Sequence, residues 1–162
     1  MTFIIYTPIY AEQAGFGDLA GAAVVSIGSA WTLSAPLWGW VARRYSTPRL
    51  LAYGFSVTSA LSLAVFALAG YPWVALALLV LAALGSTILD GAGNVLFLRA
   101  VRSLERAEMS GVFVTYRDAA NLAAPGAFAV LLKFFALPVV FAGAASWMLL
   151  GALYSRYVPR RM

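Results

Sequence analysis

The 162-residue chain contains neither cysteine nor histidine. The first absence excludes disulfides, thiolate metal sites and cysteine nucleophiles. The second removes the commonest metal ligand and the usual neutral-pH proton shuttle, so any proton relay must use carboxylates. Charge is scarce as well. Only 10% of residues are charged, against about a quarter in an average soluble domain. What fills the chain is apolar: 63% of the residues are hydrophobic and the mean hydropathy is +0.87. A soluble core of this size has no room for so much apolar surface, and the composition reads as an all-α, polytopic membrane helix bundle, a single membrane domain over residues 1–162. The net charge of +5 does not point to nucleic acid, because the basic residues stand in short clusters between apolar runs. Before the first apolar stretch there is no basic residue, and Pro8 interrupts it, so the N-terminus does not read as a signal peptide.

Five stretches are long enough to span a bilayer, which takes about 20 residues. We label them a to e: Leu19 to Val41, Pro48 to Ala69, Trp73 to Leu98, Met109 to Phe135 and Val139 to Tyr157. Pro48 stands in a first turn, where proline is tolerated, and Gly70-Tyr71-Pro72 forms a tight connection. Arginines occupy alternate connections: Arg43, Arg44 and Arg49 after a, Arg99, Arg102 and Arg106 after c, and Arg156, Arg160 and Arg161 at the end. By the positive-inside rule these lie in the cytoplasm. The expectation is a multi-pass protein of the cell (inner) membrane with a cytoplasmic C-terminus and an external segment from Glu12 to Asp18. Residues 1–10 are then expected to be the outer end of a further helix whose inner half is missing. Trp38, Trp40, Tyr71, Trp73 and Tyr154 fall near the ends of the predicted spans, as interfacial anchors do.

Polar residues inside the spans are the candidates for function. An Arg or Asp at the centre of a spanning helix costs roughly 2.5–3.5 kcal/mol, so such residues face other helices or a wet cavity. Span c carries Ser86, Asp90 and Asn94, which share one helical face at spacing of four. Span d carries Tyr116, Arg117, Asp118 and Asn121, with Pro125 one turn further. At 1.5 Å per residue, Asp90 lies roughly 13 Å above Arg99 and Arg117 roughly 16 Å above Arg106. If c and d are neighbours the two can pair, either to fix helix register or as part of a pathway. Asp118 points about 100° away from Arg117 and serves a third helix or an alternative pairing. Trp31 falls in the middle of span a, where a cavity would suit it. Hydroxyl and glycine positions such as Gly54, Thr58 and Ser62 read as packing contacts. No further aspartate follows Asp90 at the spacing a divalent-metal site needs, and no P-loop is present. No cofactor and no metal is expected, and the chain is not expected to be an enzyme.

Three segments together resemble the C-terminal half of a major facilitator superfamily transporter. They are Pro36-Leu-Trp-Gly-Trp-Val-Ala-Arg-Arg-Tyr closing span a, Asp90 to Arg102 closing span c, and Glu105-Arg-Ala-Glu-Met-Ser-Gly-Val-Phe opening span d. Gly39 and Arg44 match the family's loop motif, while Arg43 stands at its acidic position and Ser46 at its second glycine. The resemblance implies that spans a to e are transmembrane helices eight to twelve. It also implies secondary transport of a small solute by alternating access between two six-helix halves, with a, c and d bordering the path and b and e facing outward. On that basis the expected partners are the lipid bilayer, a missing N-terminal half or a second copy of the chain, and a small-molecule substrate. The competing expectation is a non-transporting membrane protein or remnant that assembles with another membrane subunit.

Overall fold

The computed structural model describes residues 2–157; the closing Pro159-Arg160-Arg161 lies outside the described residues. Among the described residues seven α-helices follow one another: α1 (Thr2–Gln13), α2 (Gly17–Ala30), α3 (Ala35–Arg44), α4 (Thr47–Ala67), α5 (Pro72–Ala100), α6 (Arg106–Phe134) and α7 (Pro138–Tyr154), with single 3-10 turns at Trp31–Ser34 and Ser155–Tyr157. No strand occurs among the described residues. The all-α bundle read from the composition is what the chain forms.

Proline sets several boundaries. It stands in the first turn of α3, α4, α5 and α7, where the missing N–H has no intrahelical acceptor to serve and the fixed φ suits the helix. Gly15 and Gly17 turn the chain between α1 and α2 with φ of 80° and 73°, a region open to glycine and strained for other residues.

Among the described residues, three segments are long and apolar enough to cross a membrane: Leu19–Arg44, Thr47–Ala67 and Pro72–Ala100. Helix α6 has 29 residues, long enough on length alone, but it carries Glu108, Arg117, Asp118 and Lys133. Helix α7 is apolar but has 17 residues, about 26 Å at the helical rise.

Helix α5 is the centre of the bundle. It packs closely on α4, and α4 packs in turn on α7. Small residues permit this. A Cβ on Gly85 would run into Thr58, and one on Gly54 would lie 2.8 Å from Leu89. Thr58 and Ser62 are fully buried and bond back to Gly54 and Thr58 carbonyls one turn earlier, so they act as packing residues. One apolar core joins α1, α4, α5 and α7 around Phe141, Val65 and Leu79, and a smaller one at the arginine-rich end joins Ala42, Leu51, Ala92 and Val95. Span b therefore lies between α5 and α7. Helix α6 is the contrast: none of its residues is buried.

Candidate functional site

Two lines of contact on α5 frame its polar stripe. Along one line α5 meets the first span: Gly28 sits on Ala83, the Ser34 hydroxyl lies 3.4 Å from that of Thr87, and Gly39 faces Gly91. Along the other line α5 meets α6 at one point, where the Phe97 and Phe113 rings stack with centroids 4.5 Å apart. Arg106, at the start of α6, donates to the Leu98 and Val101 carbonyls and ties the two helices together there. Farther along, α6 touches α1 and packs on α7, where Gly143 lies against Phe128 and Leu131. Tyr6 donates to the Pro125 carbonyl at 3.1 Å and sets its ring edge-on to Phe128.

Asp90 and Asn94 lie seven and three residues before Phe97, on the same side of α5. On α6, Phe113, Arg117 and Asn121 share one face at spacing of four. The Phe97–Phe113 stack brings these two faces together at one end. Asp90, Asn94 and Arg117 are exposed and Asn121 is half-covered. Measured from the stack, Asp90 lies about 10 Å in and Asn121 about 12 Å, whereas Asn94 and Arg117 lie about 5 and 6 Å in. Asp90 is therefore level with Asn121, and Arg117 with Asn94. Proline at 125 has no N–H for the Asn121 carbonyl, which leaves that oxygen as one more acceptor at the Asp90 level.

The structure corrects the pairing expected from depth alone. Asp90 and Arg117 form no ion pair; α5 and α6 are not among the helix pairs that pack closely, and along the two helices the two residues stand at different distances from the phenylalanine stack. Tyr116 and Asp118 lie off the α6 face that carries Phe113, Arg117 and Asn121. Both are exposed, Tyr116 at 74%, and Asp118 meets no third helix among the described residues.

Trp31 is not simply a mid-helix residue. The single helix expected from Leu19 to Val41 is broken into α2 and α3 by the 3-10 turn at Trp31–Ser34, and Trp31 is half-buried in that turn. Pro36 supplies the reason, since it cannot donate to the Thr32 carbonyl. The hydroxyls of Thr32 and Ser34 fold back on the Ser29 and Trp31 carbonyls at 2.6 Å, and the Trp38 indole donates to Ser34 at 3.1 Å. The Ser34–Thr87–Trp38 node was not foreseen from the sequence. The signal for it was Pro36 four residues after Thr32.

The loop-motif residues have structural roles here. Gly39 is buried against α5. The Arg44 guanidinium lies 5.6 Å over the Trp40 ring. The Arg43 carbonyl accepts from Arg99, which also donates to the fully buried Thr47 at 2.9 Å. Arg99 thus pins the α3–α4 loop to the end of α5. Among the described residues no cluster of carboxylates could hold a metal ion.

No curated protein and no solved structure matches the chain. A family model does, the Major Facilitator Superfamily, over residues 1–125, a stretch that runs from α1 through α5 to Pro125 of α6. A bundle of apolar helices, matched by that family model over more than half its length, is a membrane protein of the transporter type, and the chain belongs to the major facilitator superfamily.

Proposed function

We propose that the chain is one helical bundle of a secondary transporter for a small solute, with the substrate or coupling-ion path between α5 and α6. Asp90, Asn94, Arg117 and Asn121 line that path. Asp90 and the freed Asn121 carbonyl form its acidic, proton- or cation-accepting level, and Arg117 with Asn94 its anion-accepting level. Trp31, Tyr116 and Asp118 stand at its flanks. The carrying observation is that Asp90 of α5 and Arg117 of α6, both well inside their helices, are exposed and unpaired with one another. Lipid does not accommodate such groups; water, substrate or a second bundle does. A second six-helix bundle, or a second copy of this chain, covers the open face of α2 and α6 and completes alternating access. The arginine-bearing loops face the cytoplasm of the cell (inner) membrane.

The absence of native cysteine makes the test direct. Single cysteines at Asp90, Asn94, Arg117 and Asn121 should react in intact vesicles with a membrane-impermeant thiol reagent, while cysteines at the exposed apolar-face positions Tyr53 and Trp147 should not. Protection of all four positions would contradict a wet path. Protection that appears only when a partner subunit is co-expressed, with no solute or proton flux through the assembly, would favour the non-transporting reading.

A further inference from the structure

The chain crowds positive charge at one place and supplies no counter-charge for it. No acidic residue stands between residues 19 and 89, yet the connection from α3 to α4 carries Arg43, Arg44 and Arg49, all three exposed. Among the described residues, Glu105 and Glu108 beyond α5 form no ion pair with them. Arg43 and Arg44 close α3, where the negative end of a helix suits a cation. Arg49 has no such reason. It stands in the first turn of α4, at the positive end, with no acidic residue in that turn and no side-chain cap. The acidic position of the family's loop motif is Arg43 here, so the loop lacks the carboxylate that would balance it. The backbone beneath these arginines is tied down. Arg99 donates to the Arg43 carbonyl at 3.0 Å and to Thr47 Oγ1 at 2.9 Å, and Thr47 donates to the Ala42 carbonyl. The Arg44 guanidinium lies 5.6 Å over the Trp40 ring. Stacking occupies one face of that plane and leaves its N–H edge free to donate.

We infer that the α3–α4 connection binds the phosphate of an anionic phospholipid at the arginine-bearing face of the membrane. The edge of a guanidinium matches a phosphate with two parallel hydrogen bonds, and basic clusters beside a membrane span hold anionic headgroups with a gain of about fivefold per charge. Two further features favour a lipid over a soluble anion or an acidic protein surface. Trp40 and Tyr45, which flank Arg43 and Arg44, are 49% and 65% exposed, and exposed aromatic residues of this kind mark a membrane interface. Deeper in the span, Arg49, Tyr53 and Val57 share one face of α4 at spacing of four, and Tyr53 and Val57 are exposed as well. A headgroup held at Arg49 therefore has an uncovered apolar track for its acyl chain directly beneath it. The inference rests on the chain spanning a membrane and does not require that it carry a solute.

Quenching by brominated lipid tests it on the cysteine-free chain. A fluorophore is attached to a single cysteine at Val57, about two turns below Arg49, and in a control to one at Phe66, toward the other end of α4; both positions are exposed. The vesicles contain equal phosphatidylglycerol and phosphatidylcholine, with one or the other brominated on its acyl chains. At Val57 phosphatidylglycerol should be preferred by about fivefold or more, and at Phe66 the two should quench equally. Arg49→Gln should remove most of the preference at Val57, and high salt should weaken it. Arg102→Gln, on the α5–α6 connection, should leave it unchanged. An unchanged unfolding temperature in phosphatidylcholine alone certifies the fold of each variant. Equal quenching by the two lipids at Val57 overturns the site and leaves an acidic protein surface as the counter-charge. A preference that Arg49→Gln does not lower, or that Arg102→Gln lowers as much, reduces the effect to a diffuse surface potential and also overturns it. A preference abolished by inorganic phosphate at matched ionic strength assigns the arginines to a soluble anion and overturns the lipid.

Discussion

Two glycines two residues apart on α5 should respond to the same substitution with opposite signs. In Gly91→Ala the new methyl group meets the Ala35 carbonyl oxygen at 2.7 Å, Trp38 Cβ at 2.8 Å and the Gly39 nitrogen at 3.0 Å. Two of those atoms are backbone, so the contact cannot be relieved by turning a side chain; α3 itself has to retreat from α5. Overpacking of this kind costs about 1–3 kcal/mol, and backbone neighbours place Gly91 at the upper end. Alanine recovers up to about 1 kcal/mol through helix propensity. The net loss is about 2 kcal/mol, about a thirtyfold fall in the ratio of folded to unfolded protein. Gly93→Ala meets nothing within 4 Å, so only the propensity gain remains, a stabilisation of up to about 1 kcal/mol. Thermal unfolding in mild detergent, followed by tryptophan fluorescence, reads both variants, and Trp38 reports directly on the strained contact. Equal or same-signed shifts for the two variants would refute the backbone-to-backbone contact of α3 and α5.

Asp90→Asn and Arg117→Gln should change the stability of the isolated chain additively, within about 0.5 kcal/mol, as unpaired sites do; a double mutant that recovers the loss of the singles would show that they pair after all. Tyr6→Phe removes the bond to the Pro125 carbonyl and should lower stability by about 0.5–1.5 kcal/mol, with faster proteolysis of α6 as the specific sign; an unchanged digestion pattern would show that Tyr6 does not hold that helix. Thr47→Val removes one of the bonds by which Arg99 holds the α3–α4 loop, at a cost of about 0.5–1.5 kcal/mol, read as a lower melting temperature. Reporter fusions after Ser46 and Ser103 should score as cytoplasmic and fusions at Gly15 and Tyr71 as external; one reversed position would break the orientation.

Much of the molecule was legible because membrane physics acts on local sequence. Apolar length, proline at first turns and glycine at tight turns are properties of neighbouring residues, so α4 and α5 emerged close to their expected limits and the small hydroxyl residues proved to be packing contacts. The polar stripe Ser86–Asp90–Asn94 followed from helical periodicity alone. The break at Trp31–Ser34 was missed because hydropathy is blind to the backbone. An apolar run scores the same whether the Thr32 carbonyl accepts from the fourth residue on or, with proline there, from Ala35 in a 3-10 turn.

What the sequence by itself determined is the membrane class, the helical bundle and the residues whose charge is out of place in lipid, since each rests on transfer free energies that depend on residue type and spacing. Which of those residues share a level was decided only by tertiary structure. Helix α6 meets α5 through the stacked Phe97 and Phe113 rings and elsewhere packs on α7 and on Tyr6 of α1. The stack fixes the register from which Asp90 counts to the level of Asn121 and Arg117 to that of Asn94. No rule of spacing along a single helix contains the angle between two helices, because that angle is set by which side chains fit where the two surfaces cross.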